Sequence, residues 1–165
     1  MKIMRYVSFF VCVMSCVSGC VTVKHQEQQT VQEDISDVRI IMQRTPCFGT
    51  CPVYTVTVTG RGDVQFMGTQ FVSKEGESRK QVPVDSVRTL IGMFKDIQFT
   101  TLKDEYEDRA MSDAPSAIVT YATKDRSKTV KHYLGDMSAP EQLKKLEQAI
   151  DRIAKVHEWV ESPKE

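Results

Sequence analysis

Two cysteines four positions apart are the residues of this sequence whose chemistry is easiest to specify. Cys47 and Cys51 enclose Gly49, and a proline stands on either side of the pair. A tight turn brings cysteines at this spacing within about 6 Å of each other, which suits a disulfide, and a glycine gives the backbone freedom to turn. The same thiols could act as a redox pair, or as half of a zinc site completed by His132 or His157. The sequence favours a structural disulfide, because reactive pairs usually have two residues between their cysteines.

A second place for chemistry is the acidic segment around Tyr106. It contains four carboxylates: Asp104, Glu105, Glu107 and Asp108. Paired carboxylates can transfer protons or bind calcium, so a hydrolase that combines them with His132 is one hypothesis. The spacing of a calcium-binding loop is not present, and the pattern favours a solvated loop held in place by Tyr106. In its predicted strand His132 shares a face with Val130 and Leu134, so we expect a partly buried, hydrogen-bonded histidine rather than a catalytic one.

The N-terminus has the features of an export signal. Lys2 and Arg5 precede an apolar run of about ten residues, which is too short to span a membrane, and small residues follow it. We predict that residues 1–19 are a signal peptide.

The end of that signal, Val17-Ser18-Gly19-Cys20, resembles the lipobox of bacterial lipoproteins. The resemblance implies that cleavage occurs before Cys20 and that fatty acyl chains, such as palmitate, are attached to this residue. The protein would then be held to a membrane of the cell envelope through Cys20. Val21 rather than aspartate follows the cysteine, which favours the outer membrane if the cell has two membranes.

The rest of the chain divides into three parts. Residues 20–36 are polar and rich in glutamine, and we expect a lipidated N-terminus and flexible tether there. Residues 37–160 form one predicted domain, and residues 161–165 form a tail. Lys+Arg and Asp+Glu each total 22, which argues against nucleic acid as a partner, and we expect no cofactor.

Periodicity predicts an α+β domain. Alternating residues indicate strands at 37–44, 54–59 and 64–67, a further hairpin within 71–82, and a second hairpin over 116–134. A helix should follow Pro83 and end near Ile97, with its Gly92 in close packing. A last helix should begin with a capping box at Ser138 and run to Val160. Its Trp159 should close the core rather than bind a ligand.

These elements predict an antiparallel sheet of about five to six strands with two helices packed on one face. The alternative is a small, partly open barrel with external helices.

The segment from Arg44 to Tyr54, which contains the run Cys-Phe-Gly-Thr-Cys-Pro-Val-Tyr, resembles the opening signature of a family of domains of unknown function, DUF6438, found in bacterial envelope lipoproteins. The likeness extends over about residues 37–160. It implies a fold and a location, but no activity and no catalytic residue.

The sequence therefore favours a membrane-anchored envelope lipoprotein with a non-catalytic binding or scaffolding domain. Its expected partners are the membrane, through lipid on Cys20, and another protein of the envelope. The alternatives are a thiol-redox or metal-binding module that uses Cys47 and Cys51, and the hydrolase that uses the acidic segment with His132.

Overall fold

The computed structural model describes residues 33–108 and 113–161. The predicted signal peptide, Cys20 and most of the predicted tether lie outside the described residues, as does most of the predicted tail. Among the helices of the described ranges, none combines the length and the apolar character needed to cross a bilayer.

The described residues form seven strands and three α-helices. The strands are β1 (Arg39–Arg44), β2 (Val53–Thr59), β3 (Asp63–Gln70), β4 (Gly76–Gln81), β5 (Glu105–Tyr106), β6 (Ser116–Ala122) and β7 (Ser127–Tyr133). The helices are α1 (Val84–Asp96), α2 (Glu141–Ile153) and α3 (His157–Val160), and a short 3-10 turn (Phe99–Thr101) lies between α1 and β5.

All seven strands belong to one open sheet with the order β4-β3-β2-β1-β6-β7-β5. Every neighbouring pair is antiparallel except β5 and β7, which are parallel. The predicted α+β class is confirmed, and the sheet is open rather than barrel-like. The separate hairpin expected within 71–82 is wrong, because this segment contributes one strand, β4, which pairs with β3. The structure adds β5, whose two residues are too few to show an alternating pattern.

One face of the sheet is buried beneath the helices. Ile40 and Met42 on β1 and Val56 and Val58 on β2 are inaccessible to solvent and stand at alternate positions, as the period of a strand requires. The helices contribute a matching apolar stripe: Val87, Leu90, Phe94, Leu143, Leu146 and Ile150. The opposite face of the sheet has predominantly polar, partly exposed side chains.

The start of α2 differs from the predicted capping box. Pro140 is the N-cap residue, so α2 begins at Glu141, and no side chain caps it. A residue that precedes proline is disfavoured in helical conformation, which keeps Ala139 out of the helix and moves the start two residues past Ser138. The backbone N–H of Ser138 instead donates to the carboxylate of Asp136, at 2.6 Å.

The predicted long final helix is also interrupted. It ends at Ile153, because Lys155 adopts a left-handed conformation with a φ of 55°. The N–H of Val156 donates to the carbonyl of Asp151 at 2.9 Å, and that of Lys155 to Arg152 at 3.2 Å. This pair of bonds is the Schellman motif that terminates helices. The chain then turns into α3.

The turn into α3 brings Trp159 back over the sheet. Its ring stacks on Phe66 with centroids 5.0 Å apart, and the side chain is buried, so its predicted place in the core is confirmed. The close packing expected at Gly92 is wrong, since a Cβ placed there would meet nothing within 4 Å.

Candidate functional site

The predicted disulfide is present. Cys47 and Cys51 are bonded, and their Cα atoms lie 5.8 Å apart. The bond closes a short loop between β1 and β2, in which Phe48 is 88% exposed. The backbone N–H of Phe48 donates to the carbonyl of Asp113 at 3.3 Å, so the loop also contacts the segment that leads into β6.

Next to this loop, one row of residues crosses the buried face of the sheet. Strand pairing aligns Tyr54 with Arg44, Arg44 with Ala117, and Ala117 with His132. Each residue shares the inner face with buried apolar neighbours two positions away on its own strand. Because Ala117 has a small side chain, the row leaves space between the arginine and the histidine.

Helix α2 places two carboxylates over this row, one helical turn apart. Glu147 accepts from His132 Nδ1 at 2.8 Å and lies 3.5 Å from the Arg44 guanidinium. Asp151 accepts from Arg44 at 2.9 Å and from the Tyr54 hydroxyl at 2.7 Å. We call these five residues the polar network. Each carboxylate contacts two partners, which offsets much of the cost of taking the charges out of water.

Burial and charge perturb two groups of the network. Burial, reinforced by the Asp151 carboxylate, raises the pKa of the Tyr54 hydroxyl well above its ordinary value, so the phenol stays protonated and remains a donor. Burial alone would lower the pKa of Arg44, but its interactions with Asp151, Tyr54 and Glu147 together outweigh burial and the pKa is raised. Tyr54 and Arg44 therefore keep their protons throughout the physiological range.

An open cleft of about 710 Å³ lies beside the network, at the end of the sheet where β1 ends and β2 begins. The network forms its floor, the disulfide loop borders it through Cys51 and Pro52, and the exposed side of α2 forms one wall. The lining of the cleft also includes Pro115, Leu134, Lys144, Gln148, Arg152 and His157.

The structure brings the backbone of the acidic segment beside His132, but not the carboxylates that the hydrolase hypothesis requires. Tyr106 is buried and pairs with His132 along the backbone, so its holding role is confirmed. The carboxylate of Glu107 instead contacts Lys131 at 2.7 Å, and that of Asp104 contacts Lys128. Lys131 lies on the face of β7 opposite to His132. The histidine is 1% exposed, more deeply buried than expected, and its acidic partner is Glu147.

The zinc alternative has no assembled ligand set in the described residues. Cys51, His132 and His157 all line the cleft, but both cysteine sulfurs are used in the disulfide and His132 is bonded to Glu147. No group of three residues suited to hold a metal ion occurs within 33–108 and 113–161.

Sequence reasoning missed Arg44, Glu147 and Asp151 as members of a site. A signal for Glu147 was available, because it lies four residues after Leu143 and three before Ile150, inside the apolar stripe of α2. A charged residue at such a position needs a buried partner. Arg44 and Asp151 gave no comparable signal, since their meeting depends on how α2 crosses the sheet.

The comparison with known families finds the same family that the motif around the disulfide resembles. The model of the family described as "Domain of unknown function (DUF6438)" matches residues 38–154, which include the whole polar network and both cysteines. None of the curated proteins matches the chain.

Proposed function

This chain belongs to the DUF6438 family, and from that premise we propose that it is a membrane-anchored envelope lipoprotein whose domain binds another molecule without transforming it. Lipid on Cys20 would hold the protein to the envelope, and the outer membrane is the favoured site in a cell with two membranes. The partner would occupy the cleft beside the disulfide loop.

An envelope location is supported by two independent features. Disulfides persist in oxidising compartments outside the cytosol, and the domain contains one between Cys47 and Cys51. The sequence before Cys20 has the basic, apolar and small-residue order of a lipoprotein signal. Two or three acyl chains on Cys20 would give a stable attachment, whereas one would be marginal.

The observation that most supports binding is the preformed cleft. Its floor is fixed by hydrogen bonds and ion pairs that join β1, β2 and β7 to α2, and its border is fixed by the disulfide. A site built on rigid elements loses little conformational entropy when a partner binds.

Burial of His132 supports binding over catalysis. A general base must reach the proton it removes, within about 3 Å or through one water. The His132 ring is 1% exposed, with Nδ1 engaged by Glu147 and Nε2 buried without a hydrogen-bond partner in the described residues. The ring therefore connects β7 to α2 instead of facing a substrate.

The place where the chain enters β1 is compatible with a partner bound in the cleft. The cleft lies at the Arg44 end of β1, whereas the residues preceding β1 lie at the Arg39 end, where Asp37 accepts from the backbone N–H of Lys124 at 3.0 Å. The described residues before β1 thus lie at the end of the sheet opposite to the cleft and do not line it.

Mass spectrometry of the protein isolated from its own membranes tests the anchor. We expect an N-terminus at Cys20 that carries acyl chains, and we expect Cys20→Ala protein to leave the membrane fraction. The double variant Cys47→Ser/Cys51→Ser is the control and should stay in that fraction. An unmodified Cys20, or a Cys20→Ala protein that remains membrane-bound, would refute the lipoprotein assignment.

A further inference from the structure

We propose that the cleft binds an extended acidic peptide segment of a partner protein. Lys144 and Arg152 would contact its carboxylates, and Phe48 would contact an apolar side chain within it. This inference rests on the proposed binding function and specifies the chemistry of the partner.

The charges of the cleft are unevenly satisfied. Its lining contains three cations, Arg44, Lys144 and Arg152, and two carboxylates. Both carboxylates form hydrogen bonds or ion pairs within the polar network, and Arg44 is one of their partners. Lys144 and Arg152 have no ion-pair partner among the described residues and lie on the wall that α2 presents to the cleft. The cleft therefore offers two cations without an ion-pair partner, above a floor whose two carboxylates are both engaged within the polar network.

The border of the cleft is apolar. Pro52, Pro115 and Leu134 line it, and Leu134 is 37% exposed. Phe48 projects from the loop that contributes Cys51 to the same lining and is the most exposed large apolar residue of the described chain. An aromatic side chain on a cross-linked loop loses little entropy on binding, and aromatic residues are common among the side chains that dominate protein interfaces.

The shape of the site favours a peptide over an enclosed small molecule. The cleft is open along α2, from Lys144 past Gln148 to Arg152, which spans two helical turns. An extended chain covers that distance in about four residues at roughly 3.3 Å each. Acidic side chains at alternate positions of such a segment can face the two cations, while the intervening apolar ones face the disulfide loop.

A pair of charge-reversed probes tests this inference. The full-length protein, purified from its own membranes in a non-ionic detergent, is titrated into labelled Glu-Leu-Glu-Leu-Glu-Leu and into the counterpart with lysine at every glutamate. Fluorescence anisotropy should show that the acidic peptide binds at least about tenfold more tightly than the lysine peptide. Equal affinities, preference for the lysine peptide, or no binding of the acidic peptide would overturn the proposal.

Two variants locate the binding. The double variant Lys144→Glu/Arg152→Glu should lower the affinity for the acidic peptide by about tenfold or more. Its control, Lys124→Glu/Arg126→Glu, has the same charge change at the opposite end of the sheet and should change that affinity by less than about twofold. Phe48→Ala should also weaken binding, and Met67→Ala, which removes an exposed apolar side chain from the outer face of the sheet, is its control. Equal losses in a variant and its control would mean that the peptide binds elsewhere.

Two other occupants of the cleft would give different results. If the C-terminal tail fills the cleft, a chain truncated after Glu161 should bind the peptide more tightly. If a second copy of the chain fills it, the apparent affinity for the peptide should fall as the protein concentration rises. Either result would overturn the inference. The anchor is measured separately on Cys20, so a failed peptide experiment leaves the lipoprotein assignment intact.

Discussion

The imidazole Nδ1 of His132 lies 2.8 Å from Oε1 of Glu147, and both side chains are almost fully buried. This contact joins the central part of α2 to β7. The second oxygen of the same carboxylate lies 3.5 Å from Arg44 on β1, so one glutamate connects the helix to two strands separated by β6. Glu147 thus helps to fix the position of α2 over the cleft, together with Asp151 and the apolar stripe of the helix.

Replacing Glu147 with alanine should destabilise the domain by about 2–3 kcal/mol, because it leaves His132 buried without its hydrogen-bond partner and removes one of the two carboxylates beside Arg44. Urea unfolding followed by circular dichroism measures this loss. The neighbouring exposed residue Gln148 provides the control, and Gln148→Ala should change the free energy of unfolding by less than about 0.5 kcal/mol. A loss below about 1 kcal/mol for Glu147→Ala would show that the carboxylate is not needed to hold α2.

The strands and the disulfide were predictable because their determinants are local. Alternation places Ile40, Met42, Val56 and Val58 on one face whatever the rest of the chain does. The polar network was not predictable, since Arg44 meets Glu147 only after β1 pairs with β6 and α2 crosses them. Glu147 is buried although charged residues of helices usually face water, because its position in the helical period places it on the inner side of α2.

The end of α2 was missed because its sequence lacks the usual marker. The left-handed position of a Schellman motif is most often glycine, and here it is Lys155, with a φ of 55°. Lys155→Gly should therefore stabilise the domain, by roughly 0.5–1 kcal/mol, since glycine adopts this conformation without a steric penalty.

The shift in thermal midpoint of Lys155→Gly measures that gain. Lys145→Gly is the matched control, because Lys145 is exposed within α2, where glycine costs about 1 kcal/mol relative to alanine. Destabilisation by both substitutions would indicate that the helix does not end as described.

Gly92 offers a second stabilising change. It lies within α1, and a methyl group at its Cα would meet nothing within 4 Å. Gly92→Ala should raise the free energy of unfolding by about 0.5–1 kcal/mol, because alanine loses less backbone entropy in a helix. Chemical denaturation measures the gain. Gly60→Ala should do the opposite, since a Cβ there would lie 1.6 Å from the carbonyl oxygen of Ile35. A neutral or destabilising Gly92→Ala would show that the position is more crowded than the structure indicates.

Asp136 should make the stability of the domain depend on pH in the acidic range. Its carboxylate accepts from the backbone N–H groups of Asp108, at 2.9 Å, and Ser138, at 2.6 Å, and so joins the segment after β5 to the loop before α2. The bond from Asp108, followed by the interactions with Ser138, lowers the pKa of this carboxyl to about 2.

Because this folded-state pKa lies below the unfolded value of about 4, the ionised carboxylate contributes its full stabilisation above pH 4. That contribution falls as the pH drops from about 4 to about 2, where the folded carboxyl itself takes up a proton.

Asp136→Asn removes the titrating group, so the difference in free energy of unfolding between wild type and variant should be largest near neutral pH and shrink across this window. Urea unfolding at a series of pH values measures the difference, with Asp125→Asn in the exposed β6–β7 turn as the control. A difference between wild type and Asp136→Asn that stays constant from pH 6 to pH 2 would mean that Asp136 does not act through its charge.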